Sequence, residues 1–173
     1  MDPFPLRFDI PGRPDAALRR LEPADWALEQ ILTRVPDIPR WTLYPRDLDE
    51  ATARLRAARN VAAAEAGRGV RYVIEERGVP LGTIGFGRSD AGFELFYAMR
   101  PEGRGRGLVT DSVKTLAAWL EAQGERVIWL STLNGNAASE AVAMRCGFRR
   151  ERKGTHIDGR RLTVWRRTVA TPG

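Results

Sequence analysis

The sequence predicts a single domain, residues 1–173, of the α/β (α+β) class, in which strands and helices share one core. Stretches with strand-like alternation and stretches with helical periodicity interleave along the chain, and no repeat or linker divides them. With 173 residues, of which 43% are hydrophobic and 29% charged, the chain is long enough for one full core and short for two. The third observation is a unit of strand, glycine-rich loop and helix after the middle of the chain.

The first elements are a short strand and a helix that follow a proline-rich start. Residues 1–16 contain four prolines, so we expect an irregular N-terminal arm there, followed by a strand over 17–21. Pro23 suits the first turn of a helix that continues over 26–35. The remaining predicted elements, in chain order, are a helix over 48–66 capped by Asp47 or Asp49, strands over 71–76, 81–86 and 93–99, a helix over 108–123, a strand over 126–132, a short helix after Asn136, and strands over 149–157 and 161–169.

Residues 103–107, with the sequence Gly-Arg-Gly-Arg-Gly, are the most informative segment. Glycines at alternate positions let the backbone approach a ligand without an intervening Cβ. Because a helix is predicted to begin at Leu108, its unpaired N–H groups and the positive end of its dipole face this loop. The pattern indicates an anion site suited to phosphate or pyrophosphate. A glycine-rich surface turn is the alternative, because the segment lacks the residues of a Walker loop and the spacing of a dinucleotide-binding loop.

A second motif follows the helix. The strand over 126–132 leads to residues 134–136 (Asn-Gly-Asn), then to 137–139 (Ala-Ala-Ser), a short helix and 146–148 (Cys-Gly-Phe). Together with the segment 101–107 (Pro-Glu-Gly-Arg-Gly-Arg-Gly), this arrangement resembles the GCN5-related N-acetyltransferases (GNAT). Within that family it is most similar to the RimJ/RimL type, which acetylates the N-termini of ribosomal proteins.

This resemblance implies a GNAT fold, which is a mixed, mostly antiparallel twisted sheet with helices on both faces. It also implies transfer of an acetyl group from acetyl-CoA to a primary amine, by direct attack in a ternary complex. The expected acceptor is a protein or peptide N-terminus. Two alternatives stay open: a small amine such as a polyamine or an aminoglycoside, and a CoA-binding or RNA-binding module of this fold without turnover.

The resemblance further implies which residues bind acetyl-CoA (coenzyme A). The backbone of the glycine loop would hold the pyrophosphate, and the strand over 93–99 would offer N–H groups to the thioester carbonyl where it splays from its neighbour. Asn136 would contact the pantetheine arm, act as a helix N-cap, or do both. The predicted cofactor-binding residues are Tyr97, Ala98, Met99, Arg104, Gly105, Arg106, Gly107, Leu108, Asn136 and Ser139.

Two side chains are predicted to serve proton transfer. Glu94 lies where the RimJ/RimL type carries a glutamate, and a half-buried carboxylate among apolar neighbours could take the ammonium proton; an exposed strand glutamate is the alternative. Ser139 would donate a hydrogen bond to the leaving thiolate, or would be an ordinary first-turn serine. Trp41 and Tyr44, in a predicted loop over 36–45, either border the acceptor site or form a small satellite core.

Composition excludes several other kinds of site. A single cysteine, Cys146, excludes an internal disulfide and is expected to be a packing residue, and a single histidine, His156, argues against a His/Cys metal site. No run of 18 apolar residues exists, so we expect no membrane span. The cytoplasm is the default location, and we expect a monomer or a homodimer. Residues 145–167 contain nine basic and two acidic side chains. We favour a solvated arginine-rich face there over an RNA or ribosome contact, because no pattern of stacking aromatics accompanies the charges.

Overall fold

Eight strands and five helices make up the part of the chain that the computed structural model describes, residues 4–89 and 91–168. The strands are β1 (Arg7–Ile10), β2 (Arg13–Arg20), β3 (Gly69–Glu76), β4 (Val79–Ser89), β5 (Gly92–Met99), β6 (Val127–Leu133), β7 (Arg149–Thr155) and β8 (Arg161–Thr168). The helices are α1 (Trp26–Arg34), α2 (Ile38–Trp41), α3 (Glu50–Glu65), α4 (Leu108–Ala122) and α5 (Ala137–Arg145). Single turns of 3-10 helix, Pro23–Asp25 and Pro101–Gly103, precede α1 and α4.

All eight strands belong to one sheet with the order β1-β2-β3-β4-β5-β6-β8-β7. Neighbouring strands are antiparallel except for β5 and β6, which are parallel. A parallel pair needs a crossover connection, and here α4 provides it. The predicted fold class, a mixed and mostly antiparallel sheet, is therefore confirmed.

The parallel pair is short. β5 and β6 are paired only from Phe93 opposite Ile128 to Leu95 opposite Leu130. Both strands continue beyond these pairs, β5 to Met99 and β6 to Leu133. Their C-terminal ends therefore separate, and the facing backbone groups beyond Leu95 have no ladder partner in the neighbouring strand. The splay that the family resemblance implied is present.

Helices cover both faces of the sheet, as predicted. One core places α4 and α5 against the sheet, and a second core places α1, α2 and α3 against its other face. Strand β3 contributes to both because side chains alternate along a strand: Tyr72 and Ile74 belong to the first core and Val73 to the second. None of the helices in residues 4–89 and 91–168 is long and apolar enough to cross a membrane.

The prediction of an irregular arm over residues 1–16 was wrong for residues 7–16, because β1 and the beginning of β2 form an antiparallel hairpin. Residues 1–3 lie outside the described residues. Pro11 and Pro14 mark its turn and its bulge instead of preventing strands. Gly12, directly after a proline, takes a positive φ of 77° in the turn, and Pro14 lies where the register shifts, without a partner in either neighbouring ladder. Phe8 anchors the hairpin by packing edge-on against Tyr72, with 5.2 Å between ring centroids.

Most other differences concern element ends. The predicted loop over 36–45 contains the one-turn helix α2. Asp49, not Asp47, caps α3, because its side chain accepts a hydrogen bond from the Thr52 backbone N–H at 2.7 Å. Val169, the predicted end of the last strand, lies outside the described residues.

Gly85 in β4 determines how Phe96 of β5 lies across the sheet. A Cβ at Gly85 would come within 2.9 Å of the Phe96 ring and would also clash with the carbonyl oxygen of Val70. At Gly87 the nearest atom to such a Cβ is in the same ring, at 3.9 Å, which is an ordinary contact. The ring therefore lies over Gly85 because no side chain occupies that position.

We expect Gly85→Ala to lower the free energy of unfolding by about 1–3 kcal/mol, because the added methyl group meets a backbone carbonyl that cannot move independently. Gly87→Ala is the matched control and should change stability by less than ~0.5 kcal/mol. Urea denaturation of both variants and of the unmodified protein measures the difference. Equal losses at the two positions would contradict the packing described for Phe96.

Candidate active site

A cleft of about 1130 Å³ opens where β5 and β6 separate. Besides β5 and β6, its walls come from the glycine loop, the first turn of α4, helices α2, α3 and α5, and strands β3, β7 and β8. All of the site residues predicted from the sequence line this cleft, with the exception of Arg106. They are Trp41, Tyr44, Glu94, Tyr97, Ala98, Met99, Arg104, Gly105, Gly107, Leu108, Asn136 and Ser139.

The alternation of side chains along β5 gives the cleft two sides. Tyr97 and Met99 pack with the core under α4, whereas Ala98 packs with the core under α1 and α3. Glu94 and Phe96 share the face of Ala98 because they are two and four residues away on the same strand. We call the face of β5 that carries Tyr97 and Met99 the α4 side of the cleft, and the face that carries Glu94, Phe96 and Ala98 the α3 side. The two sides meet where β5 leaves β6.

On the α4 side, the glycine loop presents free backbone donors. Gly105 and Gly107 have positive φ values of 77° and 76°, which glycine adopts without strain. Within the described residues, no backbone carbonyl accepts a hydrogen bond from the N–H groups of residues 105–107. The helix α4 begins at the next residue and adds the unpaired N–H groups of its first turn. The predicted anion-binding geometry is therefore present.

Arg13 of β2 supports this loop and was missed in the sequence. Its Nη2 donates to the backbone oxygen of Arg106 at 2.5 Å, and its Nε donates to Asp111 in the first turn of α4 at 2.7 Å. One guanidinium thus fixes the loop relative to the helix that follows it. No local motif could have revealed this contact, because Arg13 is 98 residues from Asp111 and lies in the stretch expected to be irregular.

The two arginines inside the loop point in different directions. Arg106 binds Glu76 at 2.5 Å and does not line the cleft. Arg104 forms a two-pronged ion pair with Asp37, at 2.6 and 3.0 Å, and its Nε donates to the carbonyl oxygen of Met99 at 2.9 Å. The hydrogen bonds from Arg104 lower the pKa of the Asp37 carboxyl below its ordinary value. Arg104 therefore joins the loop, the end of β5 and the segment before α2.

A pair of hydroxyl groups lies on the α4 side. Asn136 is the N-cap of α5, because its Oδ1 accepts a hydrogen bond from the backbone N–H of Ser139 at 3.1 Å. The Ser139 hydroxyl lies 2.6 Å from the hydroxyl of Tyr97. Burial raises the pKa of Tyr97 to about 12, although the hydrogen bond with Ser139 partly offsets the increase. The phenol therefore stays protonated at neutral pH and can donate to Ser139. The sequence suggested Tyr97 for its backbone only.

Cys146 is a buried packing residue, as predicted. Its thiol donates to the carbonyl oxygen of Thr110 at 3.4 Å, and burial raises its pKa to about 11. A thiol with such a pKa carries almost no thiolate at neutral pH, so Cys146 is poorly suited to nucleophilic chemistry. Within residues 4–89 and 91–168, no group of three or more His, Cys, Asp or Glu side chains is placed to hold a metal ion.

On the α3 side, Tyr44 and Trp41 both line the cleft and pack in cores. Tyr44 is buried, and its hydroxyl interacts with Arg71 at 2.7 Å and with Thr83 at 2.9 Å. Burial raises the pKa of this phenol above its ordinary value. Trp41 packs in a small cluster with residues of β6 and β8, including Leu133. The two alternatives considered for these aromatics are therefore compatible.

Glu94 lies on the wall of the α3 side, but it is exposed to solvent, so the expectation of a half-buried carboxylate was wrong. The reason is found in its cross-strand neighbours. Gly87 of β4 lies opposite Glu94, and Gly69 of β3 lies opposite Gly87. Neither has a side chain that could cover the carboxylate, so Glu94 faces the solvent of the cleft.

The comparisons with known proteins agree with this geometry. The family model of the acetyltransferase (GNAT) domain matches residues 16–149. The chain belongs to the GNAT acetyltransferases. As a GNAT domain it is an acetyl-CoA-dependent N-acetyltransferase, with acetyl-CoA as co-substrate. No curated protein matches the chain in sequence.

Solved structures share the fold of this GNAT domain at low sequence identity. RimL, the ribosomal L7/L12 alpha-N-protein acetyltransferase, in an apo crystal form, is 20% identical, with 94% of this chain and 95% of that chain covered and a TM-score of 0.82. The microcin C7 self immunity acetyltransferase MccE, in complex with acetyl-CoA and AMP, is 15% identical, with 91% and 94% covered and a TM-score of 0.81. Mycobacterium smegmatis RimJ, in complex with CoA-disulfide, is 22% identical, with 88% and 81% covered and a TM-score of 0.73.

Proposed function

We propose that this GNAT domain acetylates the N-terminal amine of a protein or peptide by direct attack in a ternary complex. The observation that carries the proposal is a cleft that reaches both faces of β5 at the point where β5 leaves β6. A donor on the α4 side and an acceptor on the α3 side can meet there without a covalent acyl-enzyme. The only cysteine is buried, which agrees with a mechanism that needs no protein nucleophile.

The α4 side has the groups that acetyl-CoA requires. The free N–H groups of residues 105–107 and of the first turn of α4 would bind its pyrophosphate. Among the backbone groups of Tyr97, Ala98 and Met99, which lie beyond the last pair with β6, those that point away from β4 would face the thioester carbonyl and stabilise negative charge on its oxygen. Asn136, at the first turn of α5, would contact the pantetheine arm.

Tyr97 and Ser139 would together stabilise the leaving thiolate. If Tyr97 donates its proton to the Ser139 oxygen, the hydrogen of Ser139 is free for another acceptor. Among the residues that the structure describes, no other side chain or carbonyl accepts from the Ser139 hydroxyl. That hydrogen would therefore point to the sulfur, with Tyr97 as the group that orients it.

Glu94 would accept the proton of the attacking ammonium group, directly or through water. Its carboxylate lies on the α3 side, the side on which the acceptor would bind. Because it is solvent-exposed, it can pass the proton to bulk water after each turnover. Glu94 would therefore serve as a general base without burial.

A peptide acceptor is favoured over a small polycationic amine by the surroundings of the α3 side. Its border carries exposed apolar side chains, Leu43 at 63% and Ile157 at 89% relative exposure, which suit contact with a polypeptide. Two arginines, Arg56 and Arg71, also line the cleft and would repel a polyamine or an aminoglycoside. The names of RimL and RimJ among the similar structures support the same acceptor class.

Acetyl-CoA consumption with a panel of acceptors tests the proposed function. We expect turnover with peptides that have a free N-terminus, and no turnover with the same peptides after N-terminal blocking. Spermidine and kanamycin serve as small polyamine and aminoglycoside probes. Turnover with either of these but with no peptide would contradict the proposal, and acetyl-CoA binding without any turnover would favour a non-catalytic module.

Glu94→Gln should lower kcat/KM with a peptide acceptor by roughly 10²–10⁴-fold and remove the acidic limb of the pH–rate profile. Acid protonates a general base, so the rate of the unmodified enzyme should fall as pH falls. Acetyl-CoA affinity, measured by calorimetry, should stay the same. Glu65→Gln, at an exposed acidic residue in α3 that does not line the cleft, is the matched control. A near-normal rate for Glu94→Gln would assign proton removal to another group.

Ser139→Ala should lower kcat by about 10- to 100-fold with little change in acetyl-CoA affinity, because a hydrogen bond to the thiolate strengthens only in the transition state. If Tyr97 acts by orienting Ser139, the single variant Tyr97→Phe should have a lowered kcat. Adding Tyr97→Phe to Ser139→Ala should then lower kcat almost no further. Kinetics of both single variants and the double variant, with melting temperatures as a control, give the coupling. Independent, additive losses would contradict the proposed pair.

A further inference from the structure

The α3 side of the cleft contains two arginines that share one buried carboxylate. Arg56 of α3 and Arg71 of β3 both line the cleft, and Glu29 of α1 lies fully buried behind them. Arg56 Nε binds Glu29 Oε2 at 2.5 Å, whereas Arg71 Nε is 3.8 Å from Glu29 Oε1, which is beyond a hydrogen bond. Both guanidinium groups also lie over the ring of Tyr44, at 4.3 and 5.4 Å from its centroid. The two positive charges therefore share one negative charge, which leaves one positive charge without a counter-charge in this group.

The protein uses only some of the donors of these guanidinium groups. Each guanidinium has five N–H donors. Arg71 donates from Nη1 to Tyr44 and Thr83, and its buried Nε has no hydrogen-bond partner among the described residues. Arg56 donates from Nε to Glu29, and no other hydrogen bond from its side chain occurs in the described part of the chain. Donors and charge therefore remain for a ligand in the cleft.

The position of Arg71 brings this charge close to the proposed reaction centre. Arg71, Gly85 and Phe96 lie side by side on β3, β4 and β5. The Cα atoms of Arg71 and Phe96 are therefore about 10 Å apart, because neighbouring strands lie about 5 Å apart. Because Gly85 has no side chain, the Arg71 guanidinium can lie 4.7 Å over the Phe96 ring. Phe96 is two residues from Glu94 and points to the same side, so the cation lies beside the wall that carries the proposed base.

We propose that the acceptor carries an anionic group, a carboxylate or a phosphate, near its amine, and that Arg56 and Arg71 bind it. The inference rests on the proposed function, since it describes the acceptor of that reaction. A cationic pair with one counter-charge, partly withdrawn from water, favours an anion that forms charge-assisted hydrogen bonds. In a peptide this group is an aspartate or glutamate next to the N-terminal residue, or a phosphorylated side chain at that place.

Acceptor peptides that differ at the second residue test the inference on the unmodified enzyme. We would compare Ser-Asp, Ser-Asn and Ser-Lys peptides of otherwise identical sequence, together with one that has phosphoserine in second place. The Asp peptide should have a KM roughly 10- to 100-fold below that of the Asn peptide, and the Lys peptide the highest KM. The phosphoserine peptide separates the two sources of the anion. Equal KM values for Asp, Asn and phosphoserine peptides would overturn the inference.

Variants of the two arginines locate the effect. Arg71→Gln and Arg56→Gln should each reduce the preference for Asp over Asn to below threefold, and Arg71→Lys should retain part of it because it retains the charge. Arg54→Gln is the matched control: Arg54 is also in α3, pairs with Glu50 at 2.8 Å and does not line the cleft. It should keep the full preference. A full preference in both folded Arg56→Gln and Arg71→Gln would overturn the assignment.

A binding measurement separates this inference from the proposed function. We would titrate N-acetylated Ser-Asp and Ser-Asn peptides into the CoA-saturated protein by calorimetry, which requires no turnover. Tighter binding of the Asp product supports the anion site even if no free peptide is acetylated, an outcome that would refute the peptide acceptor alone. Equal binding of both products, with normal acetylation of free peptides, would refute the anion site and leave the proposed function intact.

Discussion

The early separation of β5 from β6 is the constraint on which the rest of the site depends. A crossover helix places the two strands parallel, but they remain paired only as far as Leu95 and Leu130. Beyond that point the sheet is open between two strands that are each still held by another neighbour, β5 by β4 and β6 by β8. The opening therefore does not unravel the sheet. It exposes backbone groups at the centre of the molecule, where both faces of β5 become accessible.

Ion pairs between distant parts of the chain hold the walls of this opening. Arg13 fixes the glycine loop against α4, Arg104 connects that loop with Asp37, and Arg56 binds Glu29. In each case the guanidinium is fixed by a carboxylate from another element, and two of the three also donate to a backbone carbonyl. Arginine suits this work better than lysine, because its planar fork can satisfy two acceptors at once. The arginine-rich composition thus has a structural use around the cleft as well as on the outer surface.

Local signals predicted much of the fold and part of the site. The glycine loop and the Asn136 cap are short-range features, since each depends on residues within one turn of a helix. The hairpin of β1 and β2 was missed because its prolines were interpreted as breakers, whereas they occupy a turn and a bulge. The role of Arg13 and the pairing of Tyr97 with Ser139 depend on contacts between residues far apart in sequence. The exposure of Glu94 likewise follows from glycines on two other strands, which strand alternation alone does not reveal.

The alternation of side chains along β5 restricts which insertions and deletions this strand can accept. Tyr97 lies on the face that carries the hydroxyl pair, and Glu94 and Phe96 lie on the opposite face. Inserting or deleting one residue between Glu94 and Tyr97 would turn one of these sets to the other face, because side chains alternate with a period of two. A change of two residues would preserve the faces but move the groups along the opening. We therefore expect the spacing within β5 to be invariant among related enzymes.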